Sequence, residues 1–191
     1  MNAAVRRIVA LLVLSLLLVA CSEPAPELPI NTRMGGDFSM VDQHGQPFNT
    51  ASLNGKLTLM FFGFTHCPDI CPATLFHTVA SWKQLSERQR EQVQLVFVSF
   101  DPQRDTPEHL KTYLAFFDPS IIGLTGTEKQ VADMTGGYGV VYLQEQAEPQ
   151  QEAMFSHSDF VYLLDQQGRV RKLFKSDFDQ QELLDGIRSL L

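Results

Sequence analysis

The stretch LTLMFFGFTHCPDICP, residues 57–72, decides the fold. Its first half, Leu57–Phe64, is a continuous apolar run, which marks a strand covered on both faces. Its second half is polar and holds two cysteines, each followed by proline. It leads into Ala73–Glu87, where Leu75, Val79 and Trp82, with Phe76, Ala80 and Leu85 alongside, make a broad apolar helix face. A buried strand running into a helix is the front of a parallel crossover unit. Val93–Phe100 (VQLVFVSF) supplies the second buried strand.

Outward from this unit, Pro107–Phe117 is predicted to be helical, with Thr106 or Asp105 as cap and Pro107 in the first turn. Short strands are expected at Ile121–Leu124 and Val140–Leu143. A helix is expected at Glu128–Thr135, stopping at Gly136-Gly137. Gln144–Glu152 is polar and reads as a loop. Phe160–Leu164 and Val170–Phe174 flank the turn sequence Asp165-Gln166-Gln167-Gly168 and form a hairpin. Asp179–Leu190 closes the chain as a helix. Upstream, Phe38–Val41 and Pro47–Thr50 pair across Asp42-Gln43-His44-Gly45. The fold class is α/β, a central mixed sheet flanked by helices with an N-terminal hairpin. This is the order of a thioredoxin-like fold in its peroxiredoxin-like form. Fold analogy alone assigns no function.

The chain has 191 residues, 44% of them apolar and 19% charged, which suits one folded domain. With 15 Lys+Arg against 22 Asp+Glu, the net charge of −7 excludes a nucleic-acid binder held by a basic footprint. Three cysteines are too few for a disulfide-built scaffold. Residues 1–20 read as an export signal. Arg6 and Arg7 precede the run Ile8–Ala20, in which only Ser15 is polar. At ~1.5 Å per residue this run falls short of the ~30 Å hydrocarbon core of a bilayer. It ends in Leu18-Val19-Ala20-Cys21, which resembles a bacterial lipobox and implies a lipid on Cys21. The organisation is then a lipoprotein signal peptide (1–20), a Pro- and Gly-containing tether (21–36) and one domain (37–191). The expected location is the cell envelope, facing the periplasm and lipid-anchored to a membrane.

Cys67 and Cys71 remain. They sit where the first buried strand ends, and ligand groups gather at that end of parallel strands. A residue before proline is pushed out of the right-handed helical region. Neither cysteine is therefore expected inside a regular helix; Cys71 should be the cap and Pro72 the first helical residue. Free amide hydrogens and the positive dipole end favour a thiolate there. In a regular helix, side chains four apart hold their β-carbons ~5–6 Å apart. A disulfide needs roughly 3.8 Å. A turn can close that gap, so a redox-active disulfide and a two-sulfur metal site both stay open.

Two thiolates select Cu(I) or Zn(II). A structural zinc site wants four protein ligands, and this chain offers one cysteine pair. Two thiolates and one imidazole suit copper. Of the five histidines, His44, His77 and His109 read as turn or helix-surface residues. His66 ends a strand and is expected to leave on the opposite face. His157 lies in Phe155-Ser156-His157-Ser158-Asp159, entering the late strand, where a thioredoxin-like fold faces the cysteine loop. Asp101 and Arg104 follow the second strand at the same end; they read as a rigid loop before a helix, or as the rim of the site.

The leader, GFTHCPDICP (63–72), DPQRDTP (101–107) and the late SHS with FVYLLD (156–165) together resemble the SCO family, copper proteins for cytochrome c oxidase assembly. The resemblance covers nearly all of residues 35–191. It implies copper ligation by Cys67, Cys71 and His157, and a membrane-tethered metallochaperone rather than an enzyme. It implies oxidase subunit II, or another copper-accepting protein, as partner. The alternative is a thiol–disulfide reductase that keeps a partner's copper-ligand cysteines reduced. Members often carry Asp before the ligand His; here Ser156 stands there. General thiol oxidoreductases tend to have two residues between the cysteines and a proline entering the late strand. This chain has three residues there and no proline from 150 to 191.

Overall fold

The computed structural model describes residues 28–145 and 153–191. The leader, Cys21, the front of the tether and most of the polar loop after residue 144 lie outside the described residues. Among the described residues, no helix is long and apolar enough to cross a membrane.

The scaffold is a seven-stranded sheet in the order β2 (Pro47–Asn49), β1 (Ser39–Asp42), β5 (Ile122–Thr125), β4 (Val93–Ser99), β3 (Leu57–Gly63), β8 (Phe160–Leu164), β9 (Val170–Lys175). β3 and β4 are its centre. They pair in parallel from Leu57↔Val93 to Gly63↔Ser99. β5 extends this set in parallel beside β4. The hairpin of β1 and β2 adds antiparallel strands on that side. On the other side, β8 runs antiparallel to β3, and β9 antiparallel to β8. Every residue of β3 is buried, as its unbroken apolar run requires.

The four helices expected from the sequence are all present, and one further short α-helix lies between the first and β4. α1 (Ile70–Lys83) is the β3–β4 crossover and contacts the last helix, α5 (Gln180–Arg188). Between α1 and β4 lies the single turn α2 (Glu87–Arg90). α3 (Pro107–Ala115) carries Pro107 in its first turn and is capped by Thr106, whose hydroxyl accepts from the His109 amide. α4 (Glu128–Gly137) runs through both glycines where a stop was expected.

Three local readings are corrected. The helix expected over Ala73–Glu87 starts at Ile70 and ends at Lys83. It ends early because Ser86 opens a new capped turn, α2. Phe76, placed on the apolar face, is 65% exposed. α1 is apolar nearly all round, so periodicity could not choose its inner face. Finally, Phe155–His157, read as part of the connection entering the late strand, is itself a short strand; most of the loop expected at Gln144–Glu152 lies outside the described residues. β6 (Tyr142–Gln144) and β7 (Phe155–His157) form a separate two-stranded antiparallel ribbon.

Candidate metal centre

The parallel strands β3 and β4 end side by side at Gly63 and Ser99, and both following connections rise at that edge. The first carries Cys67 and enters α1. Asp69 is the N-cap, so Cys71 is the second helical residue and Pro72 the third. This corrects the expectation that Cys71 would cap the helix. The first-turn amides have no intrahelical partner, so Pro72 gives up nothing there, and the helix can open before it. Among the described residues both Cys67 and Cys71 are free thiols. The Cys71 amide donates to the Cys67 sulfur at 3.4 Å, an example of the helix N-terminus serving an anionic atom.

Cys71 is fully buried, and a glycine makes room for it. A Cβ on Gly63 would lie 2.8 Å from Cys71 Sγ and 3.0 Å from the Phe97 ring. Sequence reading passed over Gly63. The available signal was a glycine inside a buried strand, which marks close approach of another group.

His157 arrives on β7. Its Nδ1 donates to the Ser158 carbonyl at 2.9 Å, which places the proton on Nδ1 and turns Nε2 to the sulfurs. Nε2 lies 3.5 Å from Cys71 Sγ. The ring is walled by Phe61, Phe64 and Phe100, with centroids 6.4, 6.2 and 5.1 Å away. The ligand atoms of Cys67, Cys71 and His157 all lie within 4.8 Å of one another. The three residues singled out from the sequence are therefore brought together. His44 and His77 are exposed, as expected.

The two thiols are electrostatically unequal. A hydrogen bond from Cys71 holds the half-buried Cys67 thiol down at about 4 against an ordinary 9.0; burial opposes this, and His157 and the amides reinforce it. Cys71 is pushed up, first by serving as donor to Cys67 and then by burial. Burial works against a charged His157, but the hydrogen bonds to Cys67 and Ser158 and the Cys67 charge outweigh it and raise its pKa. The resting site is thus a thiolate at Cys67 beside a thiol and an imidazole that favours its proton.

The second connection supports the first. Asp105, considered only as an alternative cap, is wholly buried. Its carboxylate accepts from the Thr65 amide at 3.1 Å, the Thr65 hydroxyl at 2.5 Å and the Ser99 hydroxyl at 2.5 Å. This ties the cysteine loop to the end of β4. Arg104 pairs with Asp101 at 2.5 Å, donates to the Ala153 carbonyl at 2.7 Å and lies over the Phe64 ring at 5.9 Å. It clamps the approach to β7 against the sheet. Asp101 and Arg104 thus hold the ribbon that carries His157.

A thioredoxin-like sheet with two thiols and an imidazole converging at the ends of its parallel strands defines a class: thiol-based metal-handling proteins of the α/β type. The comparisons give the family. Residues 27–191 match the SCO1/SenC family model, and the chain belongs to that family. It is 39% identical over 160 residues to a SCO2-like protein of Rickettsia conorii, covering 83% of this chain and 78% of that one. Among solved structures it is similar to Bradyrhizobium japonicum ScoI with copper bound, at TM-score 0.76 and 34% identity, over 83% of this chain and 99% of that one. Yeast Sco1 with copper bound matches at TM-score 0.75 and 36% identity, over 81% of this chain and 86% of the yeast chain.

Proposed function

We propose that this protein is a copper-binding metallochaperone that holds Cu(I) through Cys67, Cys71 and His157 and acts in assembly of the copper centre of cytochrome c oxidase. The observation that carries the reading is the convergence of two sulfurs and one imidazole nitrogen within 4.8 Å. That donor set is soft and low in coordination number, which suits Cu(I) better than a structural zinc. The copper-bound relatives support it. Copper is cargo here, so the site must release it. Cys67 is less buried than Cys71 and lies on the side from which an incoming ligand of oxidase subunit II, or of another copper-accepting protein, would reach the metal. Copper entry removes the proton of Cys71, so binding strengthens as pH rises.

The sequence supports a lipid anchor at Cys21, with residues 1–20 removed as the leader, 21–36 as tether and 37–191 working at the periplasmic side of the envelope. Mass spectrometry of the mature protein should find a lipid-bearing N-terminal Cys21; an unmodified N-terminus would contradict it.

A second reading, a thiol–disulfide reductase, is favoured by the inequality of the two sulfurs. A thiolate at Cys67 can attack a partner disulfide, and Cys71 can then resolve the mixed disulfide, leaving the partner as dithiol and the pair oxidised. His157 has no necessary part in that exchange. In cells, His157→Ala should impair oxidase assembly about as badly as Cys67→Ala, with partial rescue by added copper. Normal assembly with His157→Ala, alongside failure of either cysteine variant, would establish the reductase instead.

A further inference from the structure

A second group of ligand-type side chains lies at the same end of the sheet and has no part in holding Cu(I). His66 Nδ1, Asp105 Oδ1 and His109 Nε2 all lie within 4.8 Å of one another. His66 comes from the β3–α1 connection, Asp105 from the β4–α3 connection and His109 from the first turn of α3. Thr65 Oγ1 stands among them. It donates to Asp105 Oδ1 at 2.5 Å and lies 3.1 Å from His66 Nδ1 and 2.9 Å from His109 Nε2. The two imidazole rings are nearly parallel, 18° apart with centroids at 5.4 Å, and each turns a nitrogen to Thr65 Oγ1.

The carboxylate is the fixed member. Asp105 has no exposed surface. Its Oδ2 is held by the Ser99 hydroxyl and the Thr65 amide, which leaves Oδ1 turned toward the histidines. Such hydrogen bonds from behind are the support a ligating carboxylate needs. His66 Nδ1 lies 3.8 Å from Oδ1. A buried carboxylate favours a cation beside it. His66 is half-buried and His109 exposed, so both rings have room to move to within ~2.0–2.2 Å of an ion held by Oδ1.

We propose that His66, Asp105 and His109 form a second metal site, for a divalent first-row cation of the Zn(II) or Cu(II) kind. Two imidazoles and a carboxylate are borderline-to-hard donors, suited to divalent ions and poorly suited to Cu(I). Three protein ligands leave a coordination position for water or an incoming donor. Because His66 adjoins Cys67, one loop serves both sites. No thiol is used, so the proposal stands whether or not Cys67, Cys71 and His157 hold copper.

The test uses the full chain with Cys21, Cys67 and Cys71 all changed to alanine, which removes every thiol. Zn(II) is titrated calorimetrically, and Co(II) serves as the spectroscopic probe. One equivalent of Zn(II) should bind, and bound Co(II) should show ligand-field bands. Adding His109→Ala should weaken Zn(II) binding more than ~100-fold, since a ligand counts for more than the outer-shell partners whose loss costs ~10–100-fold. His77→Ala, an exposed histidine away from the cluster, should leave affinity unchanged. Circular dichroism of the metal-free His109→Ala variant checks that the fold is intact. Absence of Zn(II) binding to the thiol-free chain, or equal affinity with and without His109, would overturn the proposal and leave the cluster as a hydrogen-bonded hub around Thr65.

Discussion

Cys71 and His157 meet 3.5 Å apart, yet the regions that deliver them are built differently. The cysteine loop grows out of the most buried strand of the sheet. It is tied down by Asp105, and its second sulfur packs against Gly63. The histidine rides on a ribbon of two three-residue strands outside the main sheet. That ribbon is held by Arg104, by the aromatic cluster around Phe100 and by an exposed bond from Ser156 to Glu145. The sulfur ligands are preorganised by the core, and the imidazole is positioned by a peripheral clamp. A site that must both hold and release a metal gains from that division, because one ligand can shift without disturbing the fold.

The largest expected effect concerns the loop. With Cys67 held down at about 4 against an ordinary 9.0, its thiolate fraction at pH 6 is roughly a thousandfold above that of an ordinary thiol. As pH falls, the thiolate is lost only near 4. Alkylation followed by peptide mass spectrometry from pH 3 to 9 should show Cys67 reacting far below neutrality while Cys71 stays inert. Equal profiles for the two cysteines would break the contrast between them.

Next is Gly63→Ala, whose new Cβ meets Cys71 Sγ and the Phe97 ring. Overpacking of this kind costs about 1–3 kcal/mol. Urea unfolding should show that loss, and copper titration a weaker site. Arg104→Ala tests the other side of the comparison. It should lower copper affinity by about tenfold, as loss of an outer-shell support does, while Cys67 alkylation keeps its pH profile. The smallest effect belongs to Ser156→Ala, an exposed ribbon position, which should change stability by no more than about 0.5 kcal/mol. A large effect there would make the ribbon, and not the Arg104 clamp, the element that fixes His157.

The same contrast explains what was legible in the sequence. β3 and β4 announce themselves by long apolar runs, and α3 and α5 by Thr106 and Asp179 at their starts. The convergence of Cys67, Cys71 and His157 was legible because cysteines in a Pro-bracketed loop and a histidine between serines are poor core material. Of the β6–β7 ribbon only the first strand was legible, as Val140–Leu143; its partner Phe155–His157 and their pairing were not. The partner is too short for a period to show, and the ribbon's inward contacts come from isolated aromatic residues. Asp105 was missed because its partners Thr65 and Ser99 are ordinary polar residues until the parallel register sets their strand ends side by side. The start of α1 was misplaced because the preference of a residue before proline yielded to the tolerance of a helix's first turn.

The central claim is that the core supplies two sulfurs and the ribbon one nitrogen to a single copper ion. X-ray absorption at the copper edge, on the Cu(I)-loaded chain and its His157→Ala variant, tests it most directly. Two sulfur neighbours and one nitrogen are expected in the native protein, with the nitrogen lost and both sulfurs kept in the variant. A copper environment unchanged by His157→Ala would contradict it.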